Sequence, residues 1–392
     1  MCYFEHSFCL TEQVGLISRK GMRSSRWLIE PYQESKITFF YHTISRIVDR
    51  RFVLQSTEKE KLRMFMRMYE NFSGCRIVAY CFMCNHIHLL LEVPPMPLEG
   101  LSDAELLRRL SAIYTEAFVA EIAKELADAR QKVADGLAEE TQLVGRIHRR
   151  FTYRMHNLSE FMKGFLQRYT QWHNRTHKRC GHLWEDRFKS IIVQGGAASK
   201  AIAAYIDLNP VRAGMVKMPE DYRWSSYGEA IGGSAKGDGK KARAGLVRAL
   251  RAHKGIVADA NLWNADVSLE YRRILLAGAE SKVEERVEQS GKMKKILKRK
   301  GLSKEHLDVE RQKLIEAEEK RLGELPFGRM LRCKIRYFTA GAVVGQKEFV
   351  EDVFQKSRHR FGPKRTSGAR TMRGNASAAR GLLWAIRDLR KN

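Results

Sequence analysis

The sequence predicts an α+β protein, an antiparallel sheet with helices packed on it, followed by a basic C-terminal region that is mainly helical. Three observations carry this. The early part of the chain runs through a β-branched and aromatic stretch, an amphipathic stretch and two further apolar runs split by a tight turn, which reads as strand, helix, β-hairpin. Apolar residues then recur at helical spacing through residues 101–150 and 158–173. A Gly-rich string from Gly232 to Gly239 precedes a basic, helix-rich remainder and marks the best domain boundary.

Taken in order, Ile37 to Thr43 (ITFFYHT) has strand composition. Thr57 to Phe72 has helical spacing, with Thr57 as its expected N-cap ahead of Glu60. Cys75 to Cys81 (CRIVAYC) is the next strand, and a turn through Phe82-Met83-Cys84-Asn85 leads into a strand that Pro94 and Pro95 end. Leu101 to Arg150 reads as a helical hairpin inserted at about 99–150, with Gly136 as its break. Leu158 to His173 is a helix that Ser159 would cap, and Arg187 to Val193 a basic strand. A helix from about Ser199 stops at Pro210. Further on, Lys292 to Lys300 reads as a charged helix face, Arg332 to Val344 as a strand pair turning at Ala340-Gly341, and Phe349 to Arg358 as a helix.

The chain has 392 residues, enough for two or three domains. Hydrophobic residues at 44% and charged residues at 30% exclude a disordered or membrane-embedded class. Seven cysteines without regular spacing do not form a disulfide framework. Residues 1–34 read as an N-terminal extension, and Met22 offers an alternative start. The formal charge of +26 favours polyanionic partners. It is unevenly spread: residues 99–140 are acidic to neutral, whereas after Gln355 the only acid is Asp388.

His86-Ile87-His88 is the most informative string. Alternation puts both imidazoles on one face of a strand, a common way to hold a divalent metal. On the helix at 158–173, Tyr169 and His173 stack one turn apart, which would present a phenolic nucleophile beside a third ligand. Asn174 is the neighbouring alternative to His173. Lys178, Arg179, Arg187 and Lys189 form a basic set suited to phosphates, and Trp184 is a candidate stacking platform for bases. Cys81 and Cys84 leave a zinc-dependent reading open.

Met83-Cys84-Asn85-His86-Ile87-His88-Leu89-Leu90 resembles the His-hydrophobic-His (HUH) signature of single-tyrosine transposases. With Tyr169, His173-Asn174, Gly181-His182-Leu183-Trp184, Arg187-Phe188-Lys189-Ser190 and Tyr205-Ile206-Asp207-Leu208-Asn209-Pro210-Val211-Arg212-Ala213-Gly214, the ordered set resembles the REP-associated tyrosine transposases, an IS200-like branch, over roughly residues 35–230. The resemblance implies a ferredoxin-like core, and with the Gly-rich string as boundary the chain divides into a domain at 35–232, a linker at 233–240 and a C-terminal region at 241–392. It also implies a homodimer, single-stranded or hairpin DNA as partner, and a cytoplasmic, nucleoid-associated protein. The implied chemistry is cleavage and rejoining of single-stranded DNA at hairpin-forming repeats. Mg²⁺ or Mn²⁺ on His86, His88 and His173 would assist Tyr169 in forming a 5′-phosphotyrosine. Cys84 stands where the family usually has proline, which should loosen the turn. The long 99–150 insertion raises the prospect that Tyr169 acts from a partner subunit. The competing expectation is a hairpin-binding protein that no longer cuts.

Overall fold

The computed structural model describes residues 27–28, 38–233, 237–251, 260–279, 282–287, 293–299, 335–371 and 383–387. The first 26 residues, including Met22, and the middle of the Gly-rich string lie outside these.

The chain opens with strand β1 (Phe39–Arg46), helix α1 (Ser56–Ser73), strands β2 (Arg76–Phe82) and β3 (His86–Val93). Helices α2 (Asp103–Leu110), α3 (Glu116–Ala134) and α4 (Glu140–Thr152) form the insertion, and α5 (Leu158–Thr176) leads to β4 (Lys189–Val193). The caps differ from the sequence reading by one or two residues. Gln55 and Glu58 form a capping box ahead of α1 in place of Thr57, and Asn157, not Ser159, accepts the Glu160 N–H at the start of α5. Gly74 ends α1 with φ +74°, and a Cβ there would lie 2.5 Å from both Arg109 and His156.

The strands pair in the order β2-β3-β1-β4, all antiparallel. With α1 and α5 as crossovers, this is the ferredoxin-like βαββαβ arrangement. Right-handed crossovers place both helices on one face of the sheet. Ile87, Leu89 and Leu91 point to that face and share a core with Phe161, Phe165 and Tyr169 of α5. Leu90, Phe40, Ile191 and Val193 point the other way, into a second core. That second core is closed by α6 (Ala197–Asp207), α7 (Asn209–Arg212), α8 (Ser226–Gly232), α9 (Asp238–Arg251) and α10 (Ala265–Ala279). Helix α9 lies so close on β2 that a Cβ at Gly245 would meet the Ile77 carbonyl at 2.5 Å. The insertion has its own small core around Leu106, Leu126 and Phe151, and Gly136, at φ +71°, breaks it between α3 and α4.

Two segments beyond α10 differ from their expected form. The basic run at 292–300 is a strand, β6 (Met293–Arg299), paired with β5 (Lys282–Val287), because its neighbour offers a ladder partner that periodicity alone does not reveal. Instead of a strand pair turning at Ala340-Gly341, a short helix α11 (Ile335–Ala340) runs directly into β7 (Gly341–Gly345). The partners of β7 are distant in sequence: β4 in parallel and β9 (Trp384–Arg387) antiparallel, with β8 (Arg370–Thr371) at the outer edge. Helix α12 (Lys347–Lys356) packs beside them. Among the described residues the sheet therefore has seven strands, three of them supplied by the C-terminal region. No helix among these residues is long and apolar enough to cross a membrane.

Candidate active site

Strand parity decides what the two histidines face. His86 lies opposite Arg46, and His88 opposite Ile44, on the face turned away from α1 and α5. The two rings are 4.9 Å apart. His88 is buried, and its Nδ1 is 3.0 Å from Nε2 of His42, whose own Nδ1 is 2.8 Å from the Phe338 carbonyl oxygen. Burial lowers the pKa of His42 to about 4, so its ring is neutral at physiological pH. The carbonyl can only accept, so His42 carries its proton on Nδ1 and accepts at Nε2. His88 must then donate from Nδ1, which leaves a lone pair on its Nε2. Burial holds the His88 pKa well below the ordinary value, with His86 adding to the shift. The same logic applies to His86. The Asn85 amide is oriented by its Nδ2 donating to the Arg50 carbonyl at 3.1 Å, so its Oδ1 accepts from His86 Nδ1 at 2.7 Å. Burial, aided by Arg46, lowers the His86 pKa to about 4. Two neutral imidazoles thus keep Nε2 lone pairs, the state a divalent metal requires.

The tyrosine that joins them is Tyr205. Helix α6 covers the histidine face, and the Tyr205 ring meets His88 edge-on at 5.7 Å and His42 at 6.0 Å. Burial pushes its phenol up to about 12, opposed by the Arg212 guanidinium, which lies 5.1 Å from the ring centroid. One turn later, Asn209 places its Nδ2 on the carbonyls of Tyr205 and Ile206, at 3.1 and 3.2 Å, and its side chain also holds the Tyr205 phenol down against burial. The phenol is nearly covered, with Tyr205 only 3% exposed.

Tyr169 and His173 are on the opposite face. Tyr169 is fully buried among Trp172, His173 and Trp184, its hydroxyl has no hydrogen-bond partner, and burial drives its pKa far above the tyrosine range. His173 is buried with Nδ1 unpartnered, its ring tilted against that of His177 at 4.4 Å, and His177 contacts Glu58 at 3.0 Å. Asn174 donates to the Gly181 carbonyl at 3.0 Å. The helical pairing of Tyr169 with His173 is real, but α5 is a ferredoxin crossover and the sheet stands between it and the histidine pair. The zinc reading finds little support: burial keeps Cys81 protonated, and the Cys84 sulfur takes a bond from Lys59 at 3.5 Å. Among the described residues, no three His, Cys, Asp or Glu side chains form a metal-holding group.

Of the expected DNA contacts, Lys189 begins β4 opposite Ile44 and lies exposed on the histidine face. Arg187 is exposed just before it, at the same end of the sheet as Arg46 and His86. Lys178 is exposed and Arg179 half-buried in the loop after α5. Trp184 is half-buried, bridged to Ile47, and donates to Thr170 at 3.0 Å, so packing employs its ring. A separate groove of about 710 Å³ runs along α1 and shares no lining residue with the histidine face.

Two residues beyond Tyr205, the fully buried Asp207 ties α6 to the helices behind it. It accepts from the Tyr227 N–H at 3.1 Å and the Tyr271 hydroxyl at 2.6 Å. Burial pushes its carboxyl up to about 7, against those two bonds. A folded pKa above the unfolded value of roughly 4 gives stability that is complete below that value and lost as pH rises through about 7. His42 and His86 act in the opposite sense, their contribution being lost as pH falls toward about 4. The comparison with Asp207→Asn isolates the carboxyl: the wild type's stability relative to the variant should shrink as pH rises from 5 to 8 in thermal melts. A difference independent of pH would contradict the assignment.

Residues 35–132 match the family model described as IS200-like transposase. A solved structure of a REP-associated tyrosine transposase bound to a REP hairpin is similar at 13% identity, covering 53% of this chain and 89% of that one with a TM-score of 0.32. No curated protein matches the chain significantly. The histidine pair lies within the matched residues, whereas Tyr205 lies beyond them. Tyr205, the tyrosine on the histidine face, has no role assigned to it in the sequence reading. A usable signal was present in the alternation of Ile87, Leu89 and Leu91, which commits the crossover-helix face to hydrophobic packing and turns the histidines away from it.

Proposed function

We propose that this protein is a metal-dependent single-strand DNA endonuclease and strand transferase acting at hairpin-forming repeats, with Tyr205 as its nucleophile instead of Tyr169. The observation that supports this most is the convergence, on one sheet face, of two neutral imidazoles with free Nε2 atoms and a tyrosine ring 5.7 Å from one of them. The hairpin substrate follows from the resemblance of the ordered motifs to REP-associated tyrosine transposases.

His86 and His88 fit a divalent ion such as Mg²⁺ or Mn²⁺, and the Asn209 amide oxygen is the candidate third ligand in place of His173. Bound there, such an ion would supply Lewis-acid polarisation of the scissile phosphate and offset the charge developing on it. The Tyr205 oxygen attacks phosphorus, its proton passes to solvent, and the bond to the 3′ oxygen breaks. The products are a 5′-phosphotyrosine and a free 3′-hydroxyl. Reversal by another 3′-hydroxyl rejoins the strand without an external energy source. The Arg212 cation beside the ring favours the phenolate, and Arg46 and Lys189 are placed to hold the flanking backbone. Both histidines and the tyrosine come from one chain, which supports cleavage in cis without a partner subunit. The charge of +26 supports a nucleoid location.

His86→Ala and His88→Ala should lower metal-dependent nicking of a labelled single-stranded hairpin by at least about 100-fold while gel-shift binding persists. Undiminished nicking in both variants would sink the metal site. The near-complete cover over Tyr205 favours a second reading, a transposase-derived hairpin-binding protein that does not cut. Tight metal-independent shifts with no nicking by the wild type would establish it.

A further inference from the structure

The inference concerns how the histidine pair is held in its metal-ready state, and it rests on the proposed metal site. His42 is a β1 residue with no exposed surface, set diagonally across from His88 on the same face of the sheet. Both of its ring nitrogens are engaged: Nδ1 lies 2.8 Å from the Phe338 carbonyl oxygen and Nε2 3.0 Å from His88 Nδ1. Phe338 belongs to α11, nearly 300 residues further along the chain, and its ring also packs against Tyr205 at 5.5 Å. The segment feeding β7 therefore touches the histidine face at two side chains, His42 and Tyr205.

We propose that His42 is a positioning residue that fixes the tautomer of His88 on instruction from the Phe338 carbonyl. The carbonyl has no proton to give, so it selects the Nδ1–H form of His42. That form offers His88 an acceptor only, which compels His88 to place its proton on Nδ1 and keep Nε2 bare. Without this relay an isolated imidazole favours neither nitrogen strongly, and the Nε2–H form of His88 presents a proton where a metal lone pair is needed. The consequence is that the C-terminal region completes the site. A polypeptide ending near residue 232 would contain both histidines and Tyr205 but lack the group that sets the relay.

Two polar substitutions separate the relay from simple packing. A glutamine at this position spans both bonds, its amide N–H reaching the Phe338 carbonyl and its oxygen accepting from His88. Asparagine is one methylene shorter and keeps only the first. The full-length protein without DNA would be titrated with Mn²⁺ and free ion read by electron paramagnetic resonance, with melting curves recorded for each variant. His42→Gln should bind within about threefold of wild type, and His42→Asn about 10- to 100-fold more weakly, the range found when partners of metal-binding histidines are removed. Equal affinity in the two variants, whether both wild-type-like or both weak, overturns the relay. If wild type and His86→Ala bind Mn²⁺ alike, the metal site itself is wrong and the relay falls with it.

Discussion

Tyr205→Phe is expected to abolish the covalent adduct between this protein and single-stranded hairpin DNA, with a loss of at least about 1,000-fold in strand cleavage. Tyr169→Phe should leave both intact. The difference rests on sheet parity. Tyr205 meets His88 on the face covered by α6, while Tyr169 is sealed among Trp172, His173 and Trp184 on the far side. The Tyr169 hydroxyl is buried without a partner, a state that costs about 1–3 kcal/mol. Removing it should make the protein more stable by about 1 kcal/mol, readable by urea denaturation. One pair of conservative substitutions thus gives opposite outcomes: activity lost at Tyr205, stability gained at Tyr169.

Glu229→Ala should cost about 3–5 kcal/mol of stability, measured by chemical denaturation at neutral pH. Glu229 on α8 receives Arg67 at 2.6 Å and Arg63 at 2.9 Å, both from α1, and Arg67 also holds Glu70 at 2.8 Å. Arg67 and Glu229 each keep only 5% of their side-chain surface exposed. Truncating the carboxylate leaves Arg67 charged, buried and short of one partner, and the residual Glu70 does not replace the bond to its second nitrogen. The network fastens α1, which lies with α5 on one side of the sheet, to α8 in the helical layer that closes the other. A loss below 1 kcal/mol would show that water readily takes the place of Glu229.

The ferredoxin-like half of the fold was legible because its signals are local. β-Branched and aromatic runs mark β1 to β3, and helical spacing marks α1 and α5, which agree with the structure to within a few residues. Gly136 broke the insertion where expected. What local pattern could not supply is which distant segment lies against which strand. Nothing around Gly341 announces a parallel partner at Ile192, nearly 150 residues earlier, so the local pattern there predicts only half of a hairpin. The same limit governed the site. Tyr169 and His173 do share a helix face, but choosing a nucleophile also requires knowing which sheet face that helix covers. Nothing in the ITFFYHT stretch marks His42 as special, because its partners His88 and Phe338 are 46 and 296 residues away.

The most direct test of the account is to trap the wild-type protein on a single-stranded hairpin with Mn²⁺, digest the adduct and identify the modified peptide by mass spectrometry. The account predicts a nucleotide remnant on the peptide carrying Tyr205-Ile206-Asp207-Leu208-Asn209. A remnant on the Tyr169 peptide would contradict it, since that phenol would then have to cross from the other face of the sheet.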